Sequence, residues 1–359
     1  MAIPKRKNQS GPVPMWVLAL LIVVVILLLT VSMSGEDSVG SRAQPTTTLL
    51  QTAVDYHVDD ACKNLPTIRE SGSYFRDGKI KAGRSAEGVS PAFQIGSYFG
   101  EKVQYHMQTD IPMFHLVKSI LKDNDVVLDI GANQGFYTYF AATLGHPVHS
   151  FEIYEPNFKA LQHGAEFNPK EVADRVHLYP VGLGQKNARF SMRGNNYEGF
   201  LKEGSGGPIM GVTFDCFAHH MKGKLDLSRV GFVKLDVEGF EIAVLKGAQN
   251  SLLKKGHSHI GAMLVEVGPE RWGRASVTLA SGIEEMKKLS TLFKKSYILL
   301  RTKQHAETCP LSLGKDLTDK DPKTVGAVQM FKVDFNEWDA LLAKMEQHKY
   351  DCNFWYQNA

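Results

Sequence analysis

The chain has 359 residues, 43% of them hydrophobic, with 41 basic against 38 acidic side chains. That is enough apolar material for one substantial core with appendages. The near-neutral balance and the lack of a long basic stripe argue against a nucleic-acid partner.

At the N-terminus, Lys5-Arg6-Lys7 precedes an uncharged stretch from Val13 to Met33 dense in Leu, Ile and Val, and Glu36-Asp37 follows it. About 20 apolar residues span a bilayer, and positive charge stays on the cytoplasmic side. The expectation is a single-pass type II membrane protein of the Golgi or endoplasmic reticulum: cytoplasmic tail 1–12, transmembrane signal anchor 13–33, polar stem 34–60 and lumenal domain 61–359. A cleaved signal peptide is the competing reading, with Ser32 and Ser34 small enough for cleavage. The apolar run exceeds the ~7 to 15 residues of a signal h-region, which favours the anchor. The sequon Asn8-Gln9-Ser10 then faces the cytoplasm and stays unmodified.

Ile111 to Leu121 has the spacing of an amphipathic helix that covers the sheet edge, and the aromatic, glycine-containing piece from Phe93 to Tyr105 reads as a lid over a ligand or as an N-terminal cap. Then comes the most informative segment. Val126-Val127-Leu128-Asp129-Ile130 is an apolar run that closes on an acid, and Gly131-Ala132-Asn133-Gln134-Gly135 punctuates the turn into a helical stretch. A buried parallel strand hands over to a nucleotide-binding loop in this way, with amides at the start of the next helix facing the ligand. The three closely spaced glycines of the dinucleotide fingerprint are absent. Three residues between Gly131 and Gly135 suit a cofactor with a charged amino-acid end and no phosphates, such as S-adenosylmethionine.

The second strand, Val148 to Phe151, delivers Glu152 about 20 residues beyond the loop, where an acid grips a ribose diol. Glu155 is the alternative. Phe158 to Phe167 reads as a helix, Val176 to Val181 as strand three, and Gly182-Leu183-Gly184 either as a turn beneath an adenine or as an ordinary turn. In Phe232 to Glu241, alternation puts Val233, Leu235 and Val237 on one face and Lys234, Asp236 and Glu238 on the other. Buried charges need partners, so Lys234 is expected to neutralise the carboxylates. Ala262 to Val267 carries Glu266 near its tip, and Arg271 and Trp272 follow in the loop where ligands of such sheets bind. Phe240 to Ala248 and Gly282 to Lys295 read as the next helices; Ser296 to Arg301 and Val328 to Val333 read as a closing antiparallel pair.

The motifs Asp-Ile-Gly-Ala-Asn-x-Gly at 129–135, Phe-Glu at 151–152, Thr-Phe-Asp at 213–215, Lys-Leu-Asp-Val-Glu-Gly-Phe-Glu at 234–241 and Leu-Val-Glu at 264–266 together resemble the FkbM family of class I methyltransferases. The likeness covers roughly residues 105–300. It departs from the family where Ile153-Tyr154-Glu155 separates Glu152 from Pro156. The resemblance implies an α/β, doubly wound, Rossmann-like sheet, mostly parallel, with one antiparallel strand near the C-terminal edge. It also implies S-adenosylmethionine as methyl donor and O-methylation of a hydroxyl.

On that reading Asp129, Gly131, Ala132, Asn133, Gly135 and either Glu152 or Glu155 hold the cofactor. Asp236 is the first choice for base or orienter of the acceptor hydroxyl, Glu238 the second, and Lys234 keeps them charged and in place. Glu266, Arg271 and Trp272 line the acceptor, which the lumenal placement makes a glycan or small-molecule hydroxyl. Purely structural ion pairing is the rival role for 234, 236 and 238. Asp236, Glu238 and Glu266 have the oxygen ligands for a divalent ion, although the spacing does not require one. Cys62, Cys216, Cys309 and Cys352 are expected in an oxidising compartment; Cys309 and Cys352 flank the closing strands, but four cysteines allow three pairings. Two other classes share this layout: a lumenal glycosyltransferase, which needs a metal-binding Asp-x-Asp after a strand, and a non-catalytic binding module on the same fold. No triplet stands in that position.

Overall fold

The computed structural model describes Cys62 and residues 79–193, 200–203, 209–254, 260–302 and 306–358. The expected tail, anchor, stem and sequon lie outside the described residues. Among the described residues no helix is long and apolar enough to cross a membrane.

Nine strands form the main sheet. Its parallel centre is β3 (Val126–Ile130), β4 (Val148–Phe151), β5 (Val176–Tyr179), β10 (Val230–Leu235) and β11 (Ala262–Val267). Between β3 and β4 runs α1 (Phe136–Thr143), after β4 comes α2 (Glu155–Phe167), after β10 α3 (Glu241–Lys246) and after β11 α4 (Leu279–Ser290). The far side is built from β12 (Lys295–Arg301), β13 (Lys323–Val325), β14 (Val328–Lys332) and β15 (Cys352–Gln357), the last preceded by α5 (Trp338–His348). The order across the sheet is β13-β14-β12-β15-β11-β10-β3-β4-β5. Parallel neighbours of β3 lie on both sides, so the chain reverses its direction of travel between β3 and β10. A crevice opens at such a switch point, outside the carboxyl ends of the strands.

The expected antiparallel pairing of the 296–301 and 328–333 segments is present as β12 with β14, but it is not what closes the sheet. That strand is β15, which runs antiparallel to both β11 and β12 and lies between them. Two small sheets were not foreseen: β1 (Lys81–Arg84) with β2 (Gln94–Ser97), and a four-stranded one ordered β6-β9-β7-β8, in which β7 is Ala188–Arg193 and β8 Phe200–Glu203. The supposed turn at Gly182-Leu183 is strand β6 (Gly182–Leu183), paired in parallel with β9 (Ile209–Val212).

Alternation along the central strands sorts their side chains into two cores. Leu128, Ile130, Val233, Leu235, Met263 and Val265 pack with Trp272, Met286 and Trp338 on one face, whereas Val127, Phe232, Leu264 and Trp355 pack with Phe114, Tyr137 and Phe140 on the other. Each such buried side chain contributes ~1.5–3 kcal/mol by leaving water. Asp129, Lys234, Asp236 and Glu266 have the parity of the second face, so the strands that bury it bring their charges to one place.

The helix Ile111–Ile120 covers that second face, with Met113, Phe114 and Val117 buried, rather than the sheet edge. The 93–105 piece is a packed cap: Phe93 sits edge-on to Phe114, the Tyr98 hydroxyl donates to the Pro156 carbonyl (2.8 Å), and a Cβ on Gly96 would come within 2.1 Å of the Ala160 carbonyl oxygen of α2. All four cysteines are bridged, Cys62 to Cys216 and Cys309 to Cys352.

Candidate active site

The loop after β3 is held by the strands beside it. Gly131 has φ +83°, and a Cβ there would stand 1.7 Å from the Asp236 carbonyl oxygen, so only glycine fits. The amides of Gly131 and Ala132 donate to the Phe151 carbonyl at 3.0 and 2.9 Å, that of Asn133 to the Glu152 carboxylate at 2.8 Å and that of Gly135 to the Ala132 carbonyl at 2.9 Å. These four loop amides are spent inside the protein. What the loop and strand tip leave open are side-chain oxygens. Asp129 Oδ1, Asn133 Oδ1 and Gln134 Oε1 are buried without a hydrogen-bond partner. Orphaned buried acceptors are costly unless a ligand or water satisfies them.

Asp129 is fully buried, accepts from the Thr138 hydroxyl at 2.5 Å, and lies 4.0 Å from the Lys234 ammonium. Burial pushes its carboxyl up, against the opposing pull of Lys234 and Thr138. Lys234 donates to the Gly131 carbonyl at 2.6 Å and pairs with Asp236 at 3.1 Å, tying β10 to the glycine loop across the switch point. Its pKa is raised: burial pulls it down, but Asp236 and Asp129 outweigh that and keep it charged.

Glu152 caps the chain's exit from β4. One carboxylate oxygen accepts from the amides of Ile153 (2.8 Å) and Tyr154 (2.7 Å), the other from Asn133. Burial nevertheless pushes its pKa up from 4.5 to about 7. Because the folded-state value lies above the unfolded one, protonation favours the native state, and this contribution is full below about pH 4.5 and lost as the pH rises through 7. Thermal melts across that window should show stability falling with pH, and Glu152→Gln should flatten the slope; an unchanged slope would reject the assignment. Glu155, the other ribose candidate, is the exposed first residue of α2 and pairs with Lys159 at 2.8 Å.

The expected single face of three charges breaks after Leu235. Asp236 stays beside Lys234, while Glu238, at φ +57° in a turn, swings to Arg271 (2.5 Å) and Arg274 (3.6 Å). Arg271 also reaches Glu266 at 3.5 Å and Asp351. The guanidinium is thus a structural hub, and Trp272 beside it is a core residue, 1% exposed and packed against Gly282, so it lines no acceptor pocket. Asp236, Glu238 and Glu266 bring carboxylate oxygens within 4.8 Å of one another, a geometry that could hold a divalent ion, with Arg271 paired to two of the three.

Asp236 and Glu266 share a hydrogen bond and divide the charge between them. Burial raises both, but Lys234 overrides it at Asp236 and leaves that carboxyl below its usual value, while burial and the Asp236 charge hold Glu266 well above. Of the two, Asp236 is the more readily ionised and Glu266 the one that holds its proton longer. Glu238 is pushed up to about 7 by burial and by Asp236.

A polar cavity opens here, lined by Asp110, Tyr137, Lys234, Asp236, Glu266, Arg301 and Asn353 among others. Glu238 is not among its walls. Sequence reasoning did not find Asp110, Tyr137, Arg301, Asn353 or Asp351, which lie outside any motif. Tyr137 alone carried a signal, as the second residue of the helix after the glycine loop.

Strand order, switch-point loop and acid-tipped strands define a Rossmann-like methyltransferase fold. The family model of the methyltransferase FkbM domain matches residues 129–294. A comparison with curated proteins finds no match. Similar solved structures include a precorrin-6Y C5,15-methyltransferase from Geobacter metallireducens GS-15, at 12% identity over 70% of this chain and 88% of that one with a TM-score of 0.33. Another is the human methyltransferase 10 domain containing protein, at 11% identity over 69% and 80% with a TM-score of 0.32. The glycopeptide N-methyltransferase MtfA complexed with S-adenosyl-L-methionine is 15% identical over 44% of this chain and 49% of that one, with a TM-score of 0.25. This chain therefore spans about half the length of MtfA.

Proposed function

We propose that this protein is an S-adenosylmethionine-dependent O-methyltransferase acting on a hydroxyl of a glycan or small molecule in the secretory-pathway lumen, held to the membrane by residues 13–33. The observation that carries the cofactor is the set of unsatisfied buried oxygens at Asp129, Asn133 and Gln134 around the glycine loop, which fits a ligand rich in donors and positive charge. S-adenosylmethionine would supply an electrophilic methyl group there. Asp129, Asn133 and Glu152 are the residues placed to hold it, with Gly131 and Gly135 shaping the loop.

The chain's own part in the reaction is alignment and proton handling. Asp236, ionised and fixed by Lys234, accepts a hydrogen bond from the acceptor hydroxyl and takes its proton as the oxygen forms its new bond to carbon. Glu266 beside it, its pKa held up by burial and by the Asp236 charge, leaves Asp236 the more readily ionised of the pair. Glu238, turned toward Arg271, holds the wall rather than the substrate.

Two bridged cysteine pairs in the folded part support the lumenal reading, since such bonds persist in oxidising compartments. The glycosyltransferase alternative gains nothing from the chain's Asp-x-Asp triplets. Asp123–Asp125 precedes β3, at the end of the sheet away from the crevice, and Asp319 is occupied by the amides of Asp321 and Lys332.

Isothermal titration with S-adenosylmethionine tests the proposal. Micromolar binding that Asp129→Ala abolishes is expected, whereas no binding to the wild-type chain would leave the glycosyltransferase or binding-module reading in its place. Mass spectrometry of glycans and metabolites from cells with and without the protein should then reveal species differing by one methyl group.

A further inference from the structure

The cavity also has a wall of hydrogen-bond donors that the methyl-transfer reading leaves without a task. Arg301 is the last residue of β12, Asn353 the second of β15 and Tyr137 the second of α1, and all three face the same space. Among the described residues the Arg301 guanidinium has no ion-pair or hydrogen-bond partner, and neither the Asn353 amide nor the Tyr137 hydroxyl has a hydrogen-bond partner. The other cations of the site are committed: Lys234 to Gly131 and Asp236, Arg271 to Glu238, Glu266 and Asp351. Arg301 is therefore the one cavity cation that no protein carboxylate pairs with among the described residues. Asp110 shares the cavity and feels the Arg301 charge, but makes no salt-bridge contact with it.

Position decides which ligand the guanidinium meets. The glycine loop and Glu152 lie at the tips of β3 and β4, whereas β12 and β15 lie beyond β11 on the opposite half of the sheet. Lys234 joins the glycine loop to Asp236, so a donor held at the loop would leave the space between Asp236 and β12 for the acceptor. A guanidinium fork matches carboxylate, sulfate and phosphate oxygens in pairs, and a carboxamide adds a further donor.

We infer that Arg301, with Asn353, binds an anionic group on the acceptor, so that the substrate is a hydroxyl-bearing acid such as an acidic sugar rather than a neutral one. This rests on the methyl-transfer reading above. Arg301 is then a specificity-determining residue: it fixes the acid end while Asp236 receives the hydroxyl.

The test is calorimetry on the full-length protein in detergent, saturated with S-adenosylhomocysteine, with glucuronate, glucose 6-sulfate, glucose 6-phosphate and glucose as probes. At least one acid should bind ten-fold or more tightly than glucose, and the identity of the best one tells carboxylate from sulfate from phosphate. Arg301→Gln should erase that margin and Arg301→Lys should keep part of it, both with unchanged affinity for S-adenosylhomocysteine. Equal binding of acids and glucose, or no binding of any acid, overturns the inference while the methyl-transfer reading stands. Loss of S-adenosylhomocysteine binding in Arg301→Gln also overturns it, by giving Arg301 to the donor. Failure of the wild-type protein to bind S-adenosylhomocysteine sinks the methyl-transfer reading itself, and this inference with it.

Discussion

Replacing Lys234 with Met is expected to destabilise the domain by about 3–5 kcal/mol, the usual cost of removing one partner from a buried ion pair. The ammonium is nearly buried, donates to the Gly131 carbonyl and sits between Asp236 at 3.1 Å and Asp129 at 4.0 Å. Met has a similar length and fills the space, so the loss is electrostatic. Two carboxylates would be left without their cation, and one of them must take up a proton. The loop carbonyl would lose its donor as well. Urea denaturation should therefore show a lower midpoint that recovers partly at acid pH, where the stranded carboxylates are neutral. Adding Asp236→Asn to Lys234→Met should restore part of the loss, because contacting residues couple. A single variant as stable as wild type would mean that the ammonium is not what ties β10 to the glycine loop.

Asp236→Asn alone is expected to lower turnover by about 10²- to 10⁴-fold, the range for removing a positioned proton acceptor. Asn keeps the shape and can still bond Lys234 through its carbonyl, so the fold and S-adenosylmethionine affinity should survive. The variant separates two roles. If Asp236 takes the proton, kcat falls and KM for the acceptor changes little. If it only orients the hydroxyl, Asn should retain much of the rate and acceptor KM should rise. Glu238→Gln gives the contrast, since Glu238 faces Arg271 and Arg274 and not the cavity. Its effect should appear mainly in stability. A larger drop in turnover for Glu238→Gln than for Asp236→Asn would reverse the assignment.

The parallel centre of the sheet was legible because β3, β10 and β11 are short, mostly apolar runs buried on both faces, and four of the five tips carry an acid or a glycine turn. β15 was not. Its neighbours β11 and β12 lie far from it in the chain, and nothing local in Cys352–Gln357 says that it inserts between them. The acids of the site were likewise visible, but not their partners. Arg271 meets Glu238 33 residues back and Asp351 80 residues on, so its role as a hub is a property of the folded chain. Trp272 looked like a pocket wall because it follows a strand tip, yet a Cβ on Gly282 would stand 2.1 Å from its ring, and the indole fills that gap. Alternation misplaced Glu238 because the strand ends at Leu235 and the next residues turn.

The bond between Cys309 and Cys352 clasps the Arg301 end of the crevice. Cys309 accepts the Arg301 amide through its carbonyl, and Cys352 follows Asp351, which holds Arg271. The other bridge, Cys62 to Cys216, lies on the glycine-loop half, where Phe217 beside Cys216 packs on Phe151 and Tyr179. A polypeptide synthesised where glutathione keeps thiols reduced would lack both staples. Material for enzymology is therefore best made in a secretory host, and a bacterial cytosolic preparation that turns nothing over would be reporting its missing staples rather than its chemistry.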